Sequence, residues 1–154
     1  MEHSQLRKTF GKFATGITVV TGVDENQKPI GVTVNSFTSV SLTPPLVSFC
    51  LDRKNKHFDA FSKGSHFVVN ILSANQRPLS DMFAAPLPHD FSQIDHEVTK
   101  QQIPKFEGGL GYLNCQIQHQ YDGGDHVIFV GEVMAHEAKD GEPLLYFSGS
   151  YATL

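Results

Sequence analysis

The sequence predicts a mainly β domain, an antiparallel barrel with helices at its rim, and three observations carry that reading. Six or more short runs rich in β-branched and aromatic residues recur along the chain. Helical periodicity shows in only a few short stretches. Strands and helices do not alternate regularly, which leaves a doubly wound α/β sheet as the alternative rather than the first choice.

Taken in order, the chain opens on an amphipathic helix. Ser4 is placed to cap it, Leu6, Phe10 and Phe13 fall at i, i+4 and i+7, and Gly16 ends it. The period then changes. Residues 17–23 read as a strand, a polar turn follows, and residues 30–34 return as a second strand, giving a hairpin with a long loop. Residues 46–51 are an apolar run of the kind that forms a buried strand. Phe58 and Phe61 belong to a short helix closed by Gly64, and residues 66–72 are again a strand. Asn75 caps a helix reaching Ala84, with Leu79, Met82 and Phe83 on its apolar side. Residues 85–106 are polar, hold Pro86, Pro88 and Pro104, and read as an irregular excursion of the sort that serves as a lid or binding loop. Three strands follow at 113–121, 127–136 and 144–147.

The 154 residues form one domain, 1–154, long enough to bury roughly 70% of its unfolded surface. With 12 Lys+Arg against 16 Asp+Glu the net charge is −4, which argues against a nucleic-acid binder and against a polybasic membrane-surface protein. No apolar run approaches the roughly 18 residues of a bilayer span, and the first residues carry no secretory pattern, so a cytoplasmic protein is expected. Cys50 and Cys115 lie far apart with no CxxC pairing, against a disulfide framework or zinc knuckle. The 8 histidines are scattered, and neither His96-Glu97 nor His136-Glu137 has the second histidine of a zincin helix, so no metal is expected. Gly109-Leu110-Gly111 fails the dinucleotide fingerprint, and neither a Walker loop nor a G-x-S-x-G elbow occurs.

Three stretches carry unusual chemistry. Residues 31–45 leave a strand, pass through Asn35-Ser36-Phe37-Thr38-Ser39-Val40-Ser41, and end in Pro44-Pro45. Such a stiffened run of short, uncharged donors suits the edge of a planar heteroaromatic ring; a solvated Ser/Thr loop is the plainer reading. Asp122-Gly123-Gly124-Asp125-His126 is a tight hairpin turn that places His126 at a strand mouth beside a carboxylate, where it is either tuned or merely part of the turn. Asp52-Arg53-Lys54-Asn55-Lys56-His57 leads into a short helix and could hold a phosphate, or be a solvated basic turn. Cys50 lies just ahead of it.

These pieces occur in the order seen in the flavin reductase-like family. The chain resembles the small reductase components of two-component flavin-dependent monooxygenases in Phe13-Ala14-Thr15-Gly16-Ile17-Thr18-Val19-Val20-Thr21, in residues 31–45, and in Phe67-Val68-Val69-Asn70-Ile71-Leu72. It does so again in Gly124-Asp125-His126-Val127-Ile128-Phe129-Val130-Gly131-Glu132-Val133 and in Pro143-Leu144-Leu145-Tyr146-Phe147. The resemblance implies a split β-barrel of the FMN-binding Greek-key type, working as a homodimer. It implies FMN or FAD as flavin, NADH or NADPH as hydride donor, and a separate monooxygenase as recipient of reduced flavin. The family's flavin contacts fall on Val34, Asn35, Ser36 and Ser41, and its phosphate-side contacts on Cys50, Asp52, Arg53 and Asn55. His126 is implied as the catalytic residue on the nicotinamide side, with Tyr151 closing that pocket. Around Tyr151 this chain has Ser148-Gly149-Ser150 and Ala152-Thr153-Leu154 where relatives commonly carry arginines. Hydride transfer between stacked rings needs no protein nucleophile or metal, in keeping with the motifs that are missing. Two other classes fit less of the chain: a flavin-binding electron carrier that never meets nicotinamide, and a non-enzymatic barrel for another ligand such as heme or pyridoxal phosphate.

Overall fold

A computed structural model describes residues 2–154. In chain order the elements are α1 (His3–Phe10), β1 (Thr15–Gly16), β2 (Thr18–Val23), β3 (Pro29–Val34), β4 (Thr38–Leu42) and β5 (Pro45–Asp52). Then come α2 (Phe58–Lys63), β6 (His66–Ile71), α3 (Arg77–Ala84), β7 (His96–Val98), β8 (Pro104–Phe106), β9 (Gly111–Gly123), β10 (His126–Ala138), β11 (Leu145–Phe147) and β12 (Ser150–Ala152). Seven strands form one sheet in the order β3-β2-β6-β9-β10-β5-β4, every neighbouring pair antiparallel. Among the described residues no ladder joins β3 to β4 or β5, so backbone pairing curls this sheet without closing it. Small sheets β1-β11-β12 and β7-β8 lie outside it. Among the described residues, no helix is long and apolar enough to cross a membrane.

Two cores flank the central strands. Val20, Val32, Val47, Phe49, Phe67, Val69 and Phe129 fill the concave side. The ring of Phe49 stacks on Phe129 at 5.1 Å and meets Phe67 edge-on at 4.9 Å. Ile17, Val19, Leu72, Phe83, Phe91, Ile94, Phe106 and Leu144 form the second core. Burial on both sides explains why β2 and β6 read as continuous apolar runs instead of alternating. Two buried polar side chains join this layer to the sheet. Asn70 Nδ2 donates to Val19 O (3.0 Å) and Thr21 Oγ1 (3.1 Å), while its Oδ1 accepts from the Phe106 N–H (2.9 Å). Thr21 Oγ1 in turn donates to Pro104 O at 2.6 Å, so β8 is fastened across the sheet by groups that leave none of their own polarity unpaired.

Several local expectations are corrected. Helix α1 begins at His3 with Glu2 in the capping position, Ser4 Oγ donating to Glu2 Oε1, and it ends against Gly11 rather than Gly16. Gly16 belongs to β1, opposite Leu145. Phe10 and Phe13 are 67% and 79% exposed, so the apolar face of α1 is not spent on this chain's core. Ser73, not Asn75, caps the segment before α3, through a reciprocal bond with Gln76 that opens a 3-10 turn (Ala74–Gln76). Residues 38–42 are an edge strand, not a loop. Residues 85–106 hold a 3-10 turn (Phe91–Gln93) and the β7–β8 hairpin, and they bury Phe91, Ile94, Ile103 and Phe106. These apolar residues are spaced without a period, which is why the segment looked irregular.

Gly131 marks where the β9–β10 ladder shifts register. A Cβ there would lie 2.5 Å from Phe67 Cζ and 2.9 Å from Cys115 Cβ. Gly131→Ala should therefore destabilise the chain by about 1–3 kcal/mol in denaturant unfolding through overpacking. Gly16→Ala, whose methyl meets nothing within 4 Å, serves as the control and should shift stability far less.

Candidate functional site

The site begins where β3 ends. Val34 is buried opposite Thr18, whose hydroxyl donates to its carbonyl at 3.0 Å. The chain then leaves the sheet through exposed Asn35 and half-buried Ser36, while Phe37 packs against the concave core. On the opposite side of the curl, β4 pairs with β5 as far as Ser48. The next outward-facing backbone groups of β5, those of Cys50, would be left without a strand. Ser36 supplies both partners: its Oγ accepts from the Cys50 N–H (2.9 Å) and donates to the Cys50 carbonyl (3.2 Å). One hydroxyl thus continues the ladder by a residue and ties the exit of β3 to β5. Ser41 stands apart, past the bulge at Ser39/Ser41 and opposite Leu46. Burial pushes the Cys50 thiol up, although its bond to Ser36 pulls the other way, so this sulfur is a neutral thiol rather than a nucleophile.

Further along β5 the pairing with β10 sets Asp52 opposite His126. The β9–β10 connection is the two-residue turn Gly124-Asp125, with Gly124 at φ 71° as a hairpin with glycine first demands. Arg53 clamps this turn: its N–H donates to Asp125 O (3.0 Å), its Nε to Gly124 O (3.1 Å), and its Nη2 meets Asp122 Oδ1 at 2.6 Å. The guanidinium expected to face a phosphate is therefore engaged with protein. His126 Nδ1 lies 2.8 Å from Asp125 Oδ1, and this hydrogen bond holds the Asp125 carboxyl below its ordinary value. With Nδ1 turned to the carboxylate, Nε2 is the ring nitrogen left to meet a ligand.

After Asp52 the chain turns sharply. Asp52 Oδ1 accepts from the Lys54 N–H (2.8 Å), Asp52 O from the Asn55 N–H (3.0 Å), and Asn55 Oδ1 from the His57 N–H (2.9 Å). Lys54 and Lys56 are exposed and form no ion pair among the described residues. They line a cavity of about 270 Å³ together with Asn55 and His57, with Phe83, Pro86 and His89 on the other wall. Gly31 also lines it, and the space a side chain would need there is taken by the Phe83 ring at 2.8 Å. This wall was not foreseen by residue: the 85–106 segment read as a binding loop, but nothing in its letters says which part faces the basic turn. His57 and His89 stand with ring centroids 6.0 Å apart. Burial, reinforced by His89, pushes the His57 pKa down and keeps that ring neutral.

Tyr151 is held elsewhere, on α3. Its hydroxyl donates to Asp81 Oδ1 (2.7 Å) and lies 2.7 Å from Ser80 Oγ, and the Arg77 guanidinium sits 4.4 Å over its ring. It communicates with β3 only indirectly, because Thr33 Oγ1 donates to Ser80 O at 2.7 Å. Val34, Asn35, Ser36, Cys50, Asp52, Arg53, Asn55 and His126 thus follow one another through chain continuity, backbone pairing and short contacts, whereas Ser41 meets β5 only at Leu46, toward the start of that strand, and Tyr151 is bonded to α3. Among the described residues no group of three or more His, Cys, Asp or Glu could hold a metal ion. What the site offers is uncharged donors at one end, unpaired cations at the other, and an oriented imidazole across the strand pair.

Comparison with known proteins gives this arrangement a context. A family model described as "Flavin reductase like domain" matches residues 10–154. The chain is 40% identical over 145 residues to "FMN reductase (NADH) SmoA" of Agrobacterium fabrum, spanning 94% of this chain and 82% of that protein. It is also 40% identical over 148 residues to a Rhizobium meliloti protein named "Probable flavin reductase", spanning 96% of this chain and 48% of that protein, so the chain is about half the length of that relative. Among solved structures it superimposes with a TM-score of 0.93 and 36% identity on the Streptomyces globisporus NADH:FAD oxidoreductase SgcE6 in complex with NAD and FAD fragments, covering 98% of this chain and 92% of that one.

Proposed function

The chain belongs to the flavin reductase-like family, and from that premise we propose that it is an NAD(P)H:flavin oxidoreductase of the cytoplasm. It binds FMN or FAD, takes hydride from NADH or NADPH, and supplies the reduced flavin to a separate monooxygenase. The observation that carries this reading is the passage from Cys50 to Lys56. It sets a clasped, uncharged backbone edge, two cations without ion pairs and, across the strand pair, His126 along one continuous path.

The residues present fit a flavin. Asn35 and the backbone at the exit of β3 around Ser36 provide neutral donors and acceptors for a ring edge, and the clasp of Ser36 onto Cys50 keeps that edge in one geometry. Lys54 and Lys56, which form no ion pair among the described residues, favour a phosphate, while Arg53 acts one step removed by fixing the turn. When bound, the flavin supplies the hydride-accepting ring; the protein supplies placement. His126 orients the incoming nicotinamide through Nε2, with Asp125 holding the imidazole in the matching tautomer. Tyr151, already bonded to Ser80 and Asp81, is a wall of the neighbouring surface rather than a mobile cover.

The curled sheet is read as a split β-barrel that functions as a homodimer. Phe10, Phe13, Val40, Leu42 and Met134 are all more than half exposed, and a second copy would take this apolar surface out of water. Sedimentation at micromolar concentration should show a dimer; a monomer alone would remove this part of the proposal.

The catalytic part is tested by anaerobic stopped-flow mixing of the protein and FMN or FAD with NADH, following loss of nicotinamide absorbance. Turnover is expected with NADH or NADPH. His126→Ala should slow flavin reduction roughly tenfold, a barrier increase of about 1.4 kcal/mol, while flavin affinity changes little. Absence of nicotinamide oxidation with either flavin would overturn the proposed activity, and an unaltered rate in His126→Ala would remove the histidine from it.

A further inference from the structure

The outer face of the β9–β10 hairpin carries an aromatic pair that neither core uses. Tyr121 and His119 stand two residues apart on β9 and leave the sheet on the same side. Their rings stack with centroids 5.2 Å apart and planes 16° from parallel. Both residues are exposed, Tyr121 at 51%. Ile128, directly opposite Tyr121 on β10, is half-buried and likewise stands outside both cores. Exposed aromatics offer a large, flat contact area, and here one face of the Tyr121 ring is already held by His119.

Strand register brings this pair to His126. Gly123 is opposite His126, and Tyr121 lies two residues before Gly123, so Tyr121 and His126 are diagonal neighbours on one sheet face. Such pairs lie about 7–8 Å apart, within reach of aromatic side chains. Gly123 adds no side chain between them. A Cβ there would lie 3.3 Å from Ile128 Cγ1, so Ile128 lies under the gap. The result is a slot with the free face of Tyr121 at one end, the His126 imidazole at the other, and an aliphatic floor. The same register continues to Cys50, opposite Ile128 on β5, so the slot adjoins the path proposed for the flavin.

We propose that this slot takes the nicotinamide ring of the hydride donor, and that Tyr121 is a binding residue for it. The inference rests on the hydride-transfer reading above and goes beyond it by adding a ring-binding side chain from β9. The carboxamide meets His126 Nε2, the nitrogen turned away from Asp125. One face of the ring meets Tyr121, and the opposite face stays open to the flavin. Hydride leaves the dihydropyridine with both electrons of its C–H bond and passes to the flavin ring, so the donor ring becomes a pyridinium cation. A tyrosine face attracts such a charge. His119 stiffens the platform by holding the far side of the Tyr121 ring.

Calorimetric titration of the FMN-loaded chain with NAD+, which has no hydride to give, tests this. Tyr121→Leu keeps an apolar side chain opposite Ile128 and removes the aromatic face. It should weaken NAD+ binding about fivefold, with Tyr121→Phe restoring it. In stopped-flow reduction by NADH the half-saturating concentration should rise by a similar factor, while FMN affinity changes less than about twofold. Unchanged NAD+ affinity in Tyr121→Leu would overturn the inference, as would an equal loss of FMN affinity, which gives Tyr121 to the flavin instead. Loss of a dimer on sedimentation of Tyr121→Leu would also overturn it, by placing Tyr121 between the copies. Each of these leaves flavin reduction by the wild-type chain intact, whereas failure of that chain to oxidise NADH would overturn both readings.

Discussion

The structure depends on a single packing constraint, the curl of one antiparallel sheet around Phe49. That ring lies on β5 with Phe129 stacked against it, Phe67 edge-on, and Phe61 from α2 at 6.0 Å. Phe49, Phe67 and Phe129 are completely buried, and each such side chain contributes on the order of 1.5–3 kcal/mol by leaving water. A flat sheet could not gather aromatics from β5, β6 and β10 onto one another. Gly131 permits the approach by leaving room for Phe67, at a point where the ladder also changes register. Because the sheet curls, the exit of β3 arrives beside β5, although four strands separate them in the ladder order.

From this arrangement the site follows with little further structure. The Ser36 hydroxyl converts proximity into a fixed edge, since it satisfies both backbone groups of Cys50. The next residues of β5 pair with β10, and that register alone decides that His126 faces Asp52. Arg53 then holds the hairpin turn by three contacts, which fixes the backbone on which Asp125 and His126 stand. In the turn after β5, Lys54 and Lys56 form no ion pair among the described residues. Function is therefore divided between residues that hold the scaffold and residues that stay available.

Much of this was legible in the letters, and the reasons differ by element. Strands β2, β3, β5 and β6 announce themselves by β-branched runs, and α2 by Phe58, Phe61 and the closing Gly64. Edge strand β4 does not, because Thr38, Ser39 and Val40 are exposed and carry no core pattern. The end of α1 was misplaced because Phe13 continues the apolar spacing although it faces solvent. Asn35, Ser36 and His126 are expected site residues on motif resemblance and local chemistry. The Ser36–Cys50 clasp, the commitment of Arg53 to its turn and the wall formed by His89 were not, since each depends on a long-range register that no local window contains. Tyr151 is expected from the resemblance to close the nicotinamide pocket, and nothing local in the sequence announces its bonds to Ser80 and Asp81 of α3.

The central claim is that a flavin binds along the path from Ser36 through Cys50 to Lys56. Amide chemical shifts of the isotopically labelled chain during titration with FMN test it most directly. The amides of Asn35, Ser36, Cys50, Arg53, Lys54 and Asn55 should move together along one saturation curve. Unmoved signals at those positions, with changes confined to the separate groove bordered by Lys105, Tyr112 and Lys139, would contradict the account.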